Sequence, residues 1–150
     1  MSHLTFTRKP MPVIPEQRPM YKIAMILLVL KICSSGSKSS LLRLHLFNWA
    51  LFDEQRFQSL VLSAERKELI MGVWGVDPSL NMALALAVSE QLLVKENNGS
   101  YKITPKGDLF ITESKLITLF DSEVLQLKKV SKKITEAMVK AAAKRWENEI

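Results

Sequence analysis

Residues that could act as nucleophiles, bases or metal ligands are scarce in this chain. Among its 150 residues are two histidines, His3 and His45, and one cysteine, Cys33. Cys33, His45 and Asn48 have the residue types of a thiol-protease triad, but no local motif supports one, and the competing reading makes them core or helix-surface residues. The pool of soft ligands is too small for a four-ligand zinc site. No glycine-rich loop leads into Lys followed by Ser or Thr, the arrangement that cradles nucleotide phosphates. The acidic residues are scattered, mostly beside lysines, as on a solvated surface. No catalytic, cofactor-binding or metal-binding residue is therefore expected, and the chain reads as a non-enzyme.

The chemistry that remains is contact between charges. A net charge of +6 and a pI near 9.5 suit either a nucleic acid or an acidic protein without choosing between them. The excess lies in the first segment and near the end, where Lys128, Lys129, Lys132, Lys133, Lys140, Lys144 and Arg145 occur. Within the stretch "GSYKITPKGDLFI", alternation puts Tyr101 and Ile103 on one face of a strand and Lys102 on the other. Asn97, Asn98 and Gly99 before it can take the left-handed angles of a tight hairpin turn. Thr104 caps a following helix, and Pro105 fits its first position. Lys95, Lys102 and Lys106 are candidates for nonspecific contact with DNA phosphates, offset by Glu96 and Asp108.

The helix before this hairpin reads "DPSLNMALALAVSEQ". If the hairpin is the wing of a winged helix-turn-helix domain, that helix should offer Arg, Lys, Asn or Gln to base edges. Beyond the capping turn its polar side chains are few, Asn81, Ser89, Glu90 and Gln91, and Leu80, Met82, Leu84, Leu86 and Val88 fill most of the rest. A helix without a basic residue cannot neutralise phosphates. Burial against the fold or a partner is expected instead.

These residues need a scaffold, and an apolar fraction of 47% over this length suits one folded core. Four prolines between residues 10 and 19 predict an extended arm over residues 1–19. Residues 20–33 are apolar almost all round, as in an enclosed helix. The loop "SSGSKSS" ends it, and Ser39 or Ser40 caps a helix over 41–53. Further helices are expected over 54–70 and 78–91, the latter capped by Asp77 with Pro78 in its first turn. The longest apolar run, residues 23–30, is far shorter than the roughly 20 residues that cross a bilayer. With no secretory leader evident and no partner for Cys33, a cytoplasmic protein without disulfides is expected.

From residue 110 onward, seven-residue apolar spacing suggests a long helix packed on another helix, which Asp121 or Ser122 could break in two. The earlier residues of this seam suit the chain's own core and the later ones a partner helix. The partner-binding candidates are Leu127, Ile134, Met138 and Trp146. The expected fold is mainly α with a small β-hairpin: a winged helix-turn-helix domain over 20–114, the arm, and a C-terminal helical extension over 115–150.

Three segments, "ILLVLKICSSGSKSSLLRLHLFNWAL", "VDPSLNMALALAVSEQLL" and "YKITPKGDLFI", together resemble the middle components of bacterial three-component ABC systems. These are small winged-helix proteins encoded with an SMC/Rad50-like ABC ATPase, and the resemblance covers roughly two thirds of the chain. In Lamassu-type anti-phage defence the third protein is an effector, often a nuclease. The resemblance implies a non-catalytic adaptor that binds the ATPase and couples it to the effector. DNA contact is expected to be weak outside the complex, because the helix before the hairpin lacks base-reading side chains. The resemblance supplies no catalytic residue to carry over. Met82 departs from the basic residue expected after Asn81, which weighs against contact with DNA or an acidic partner there. A winged-helix transcription regulator is the competing class, and a metabolic enzyme a distant third.

Overall fold

The computed structural model describes residues 19–148, so the arm expected before Pro19 lies outside the described residues. Pro19 itself opens α1 (Pro19–Cys33), where its missing amide hydrogen costs nothing. Every residue from Lys22 to Leu30 is buried. The other elements pack around α1 because an all-round apolar helix has no face to give to water.

The chain leaves α1 through a 3-10 turn over Ser35–Ser37, with Gly36 at φ +67°, and enters β1 (Lys38–Ser39). This strand is absent from the sequence-based expectation. Ser40 then caps α2 (Leu41–Leu51), its hydroxyl accepting from the Arg43 amide. Asp53 caps α3 (Glu54–Arg66), which stops short of the expected residue 70 because Lys67 turns left-handed, at φ +60°. After an irregular passage over 67–77, Asp77 caps α4 (Pro78–Ser89) as expected.

β2 (Leu93–Lys95) and β3 (Tyr101–Ile103) form the antiparallel hairpin, pairing Leu93 with Ile103 and Lys95 with Tyr101. In the turn only Gly99 takes positive φ, at +89°; Asn97 and Asn98 do not. The Gly99 amide donates to Glu96 O, and Asn98 Oδ1 accepts from the Ser100 amide. β1 lies on the other side of β3, so the sheet order is β1-β3-β2. Ile103 is buried and Lys102 exposed, in line with the alternation.

Thr104 caps α5 (Pro105–Glu113) by accepting from the Gly107 amide at 3.0 Å. A Cβ at Gly107 would lie 2.3 Å from Leu92 O, so the hairpin base and α5 can meet only over a glycine. The chain then makes one turn, α6 (Leu116–Leu119), followed by α7 (Asp121–Val130), a 3-10 turn over Ser131–Lys133, and α8 (Glu136–Asn148). The break before Asp121 is the one the sequence left open. The second break is a correction: Ser131 adopts φ +52°, ψ −142°, and the expected long helical seam ends there. Thr135 restarts the chain by accepting from the Met138 amide.

The described chain is mainly helical with one small antiparallel sheet. Residues 115–148 form no separate body, since Leu116, Val124, Leu127, Val130, Ile134 and Val139 join the same core as α1. No helix among the described residues is long and apolar enough to cross a membrane.

Candidate functional site

The residue types of a thiol catalyst are present but not assembled. The Cys33 thiol is buried and donates to Leu127 O at 3.2 Å. Burial pushes its pKa up to about 12, against a smaller opposing effect of Arg43, so it stays protonated and inert. His45 faces other groups. Its Nδ1 accepts from the Asp77 amide at 3.3 Å, so its proton sits on Nε2, which donates to Asn81 Oδ1 at 3.1 Å. Burial lowers the pKa of His45, outweighing the hydrogen bond to Asn81 and the charge of Asp77. Protonation would break the bond from the Asp77 amide.

Asn48 belongs to a second knot. The buried Lys22 ammonium lies 3.0 Å from both Asn48 Oδ1 and Asp77 Oδ2, and Asn48 Nδ2 donates to Asp77 Oδ2 at 3.1 Å. Burial alone would raise the Asp77 pKa. Hydrogen bonds from the Ser79 hydroxyl, Lys22, Asn48 and the Ser79 amide win, holding it well below the usual carboxylate range. These contacts fasten α1 and α2 to the N-terminus of α4. Among the described residues, no group of three or more His, Cys, Asp or Glu could hold a metal ion.

Arg43 stands inside the apolar run of α2, where an arginine is expected to break the apolar surface and face solvent. It is instead buried, and ties the tail to the end of α1. Nε donates to Ile134 O at 2.8 Å, Nη1 to Ser34 Oγ at 2.7 Å, and Nη2 to Cys33 O, with the guanidinium 4.9 Å from the centre of the Phe47 ring. Burial lowers the Arg43 pKa, opposed by Glu136 and Cys33. Glu136 completes the fastening by accepting from the Ser40 amide at 2.9 Å and its hydroxyl at 2.7 Å. An arginine within the apolar run "LLRLHLF" was the available signal.

This fastening changes the account of the partner-binding candidates. Leu127 and Ile134 are fully buried in the chain's own core, and Met138 is half-buried against it. Trp146 packs edge-on against Trp74 at 4.5 Å between ring centres. Arg145 secures that contact by donating to Leu69 O at 2.8 Å and pairing with Glu68. Leu127 and Ile134 are spent inside the molecule, whereas Met138 and Trp146 pack on it and keep part of their surface in solvent. Their spacing is the same for a helix of this chain and a helix of another, so it could not distinguish the two.

Among the hairpin lysines, Lys95 and Lys102 are exposed and Lys106 is half-buried. Lys102 is opposite Lys38 across the sheet, and Lys95 lies over the Tyr101 ring at 5.8 Å. The helix before them is half buried and half bare. Leu80, Ala83, Leu84 and Ala87 of α4 face the core, whereas Asn81, Met82, Ala85, Leu86 and Ser89 face outward. Met82 is 71% exposed and Leu86 37%, and no residue of α4 is charged. Val73 and Val76, in the segment leading to α4, are also bare. The chain matches no protein-family model, no curated protein and no solved structure.

Proposed function

We propose that this chain is a non-catalytic winged-helix adaptor, which binds an SMC/Rad50-like ABC ATPase and couples it to an effector in a cytoplasmic bacterial anti-phage defence complex. The element order supports the winged-helix part of this reading. A helix and short strand, α2, then α4 and a hairpin make a three-stranded sheet of order β1-β3-β2, with α3 inserted between α2 and α4. The ATPase and effector come from the sequence resemblance.

The observation that carries the adaptor over the regulator is the outward face of α4. A reading helix must meet phosphates and base edges with cations and amides. This one presents Met82 and Leu86, and its single amide, Asn81, is engaged by His45. Bare apolar side chains on a helix suit a protein surface. With Leu127 and Ile134 buried, α4 replaces the tail as the face offered to the ATPase.

Co-expression with an ATPase encoded beside this chain tests the reading. Co-elution of the two on size exclusion is expected. Selection from a random duplex pool that yields one short operator, bound tightly at physiological salt, would establish the regulator instead.

A further inference from the structure

A second surface of opposite chemistry lies at the junction of α7 and α8. Leu127, Val130 and Ile134 turn into the core, and the lysines between them, Lys128, Lys129, Lys132 and Lys133, are all exposed. None forms an ion pair among the described residues. Glu136, the next acidic residue along the chain, is directed at Ser40 instead. Lys128 and Lys129 in the last turn of α7 complement its dipole. That accounts for two of the four, because Lys132 and Lys133 follow the helix. Four cations in six residues repel one another, a cost that a polyanion would relieve.

We propose that this lysine strip binds the phosphate backbone of duplex DNA without regard to sequence. An acidic protein is the rival occupant, and the composition weighs against it. Protein interfaces are depleted in lysine and built on aromatic or arginine anchors, whereas DNA interfaces are strongly cationic. Leu125 is the bare apolar residue of α7, and residues 121–144 contain no aromatic side chain. Lysine meets phosphate as a point charge, while paired recognition of carboxylates favours arginine. Residues 128–144 contain no Arg, Asn or Gln, so the strip lacks the planar forks and amides that fix a side chain on one base. The strip is held firmly in place, with α7 packed on α1 and the junction fixed by the Arg43 bond to Ile134 O. This inference goes beyond the adaptor reading and stands without it.

The test is fluorescence anisotropy of the full chain with a labelled duplex of arbitrary sequence, titrated at several salt concentrations. Four phosphate contacts predict a log–log salt slope of about −3.6, a loss of roughly 100-fold between about 50 and 200 mM salt. The variant K128Q/K129Q/K132Q/K133Q should keep its circular dichroism, since all four side chains are exposed. It should lose most of that slope and bind at least about tenfold more weakly at low salt. The variant K95Q/K102Q/K106Q serves as the comparison and should retain most of the binding. Three results would overturn the proposal: no salt-sensitive binding at low salt, an equal or greater loss in the hairpin variant, or displacement of the duplex by polyglutamate as readily as by unlabelled duplex.

Discussion

Replacing Arg43 by methionine should remove the lock between the tail and the end of α1 while nearly preserving volume. The guanidinium satisfies Cys33 O, Ile134 O and Ser34 Oγ. Ser34 keeps a second bond, from its hydroxyl to Val29 O. The two carbonyls belong to the backbone and cannot be redesigned away. Leaving a buried polar group unpaired costs about 1–3 kcal/mol. Two carbonyls therefore cost about 2–6 kcal/mol, offset in part because the variant no longer buries a charge, for a net loss of about 2–4 kcal/mol. Against a typical total of about 5–15 kcal/mol this is a large share. Urea denaturation followed by circular dichroism would measure it, with the midpoint falling and the slope unchanged. Lysine at this position should recover only part of the loss, because one ammonium lacks the fork that reaches all three acceptors. A methionine variant within about 0.5 kcal/mol of the unmodified protein would refute the assignment of Arg43 as the lock.

Ile103→Asp should sharply lower the melting temperature, because it puts an unpaired charge on the buried face of β3, and Lys102→Ala should leave it nearly unchanged; equal melting temperatures would disprove the register. Gly107→Ala should destabilise the chain even though alanine favours helices, since its methyl meets Leu92 O; thermal unfolding would detect this. Stability should also fall in acid. The folded His45 pKa lies below its ordinary 6.5, so the unfolded chain takes up a proton first, and stability is lost as pH drops below about 6.5. Asp77, whose folded pKa is also depressed, adds a second loss below its ordinary 3.8. His45→Gln should flatten the decline between pH 7 and about 5 in melting scans, and an unaltered decline would assign it to another group.

Much of the scaffold was legible because single residues determine helix ends. Ser40, Asp77 and Thr104 each accept a backbone amide at the start of a helix, and Pro78 and Pro105 sit where proline is tolerated, whereas Asp53, expected at the end of a helix over 41–53, caps the next one. The hairpin was legible from alternation and Gly99. β1 was not, because two residues, Lys38 and Ser39, cannot display a period, and their pairing with β3 is set by tertiary contact. The break at Ser131 was equally hidden, since serine carries no mark of the positive φ it adopts there. Of the candidate sites, the want of charge on α4 was plain in its sequence, but which side stays bare depends on how it packs against α1. Arg43 was misread because propensity treats an arginine as surface, whereas the end of α1 and the passage into α8 both present carbonyls to it.

The adaptor account rests most directly on the outward face of α4. The decisive measurement is size-exclusion co-elution with the co-expressed ATPase, comparing the unmodified chain with a Met82→Asp, Leu86→Asp double variant. Both side chains are exposed, at 71% and 37%, so the isolated variant should fold and melt much like the unmodified chain. The account predicts that the unmodified chain travels with the ATPase and that the folded variant elutes alone. Co-elution of the variant as complete as that of the unmodified chain, or no complex with either, would contradict it.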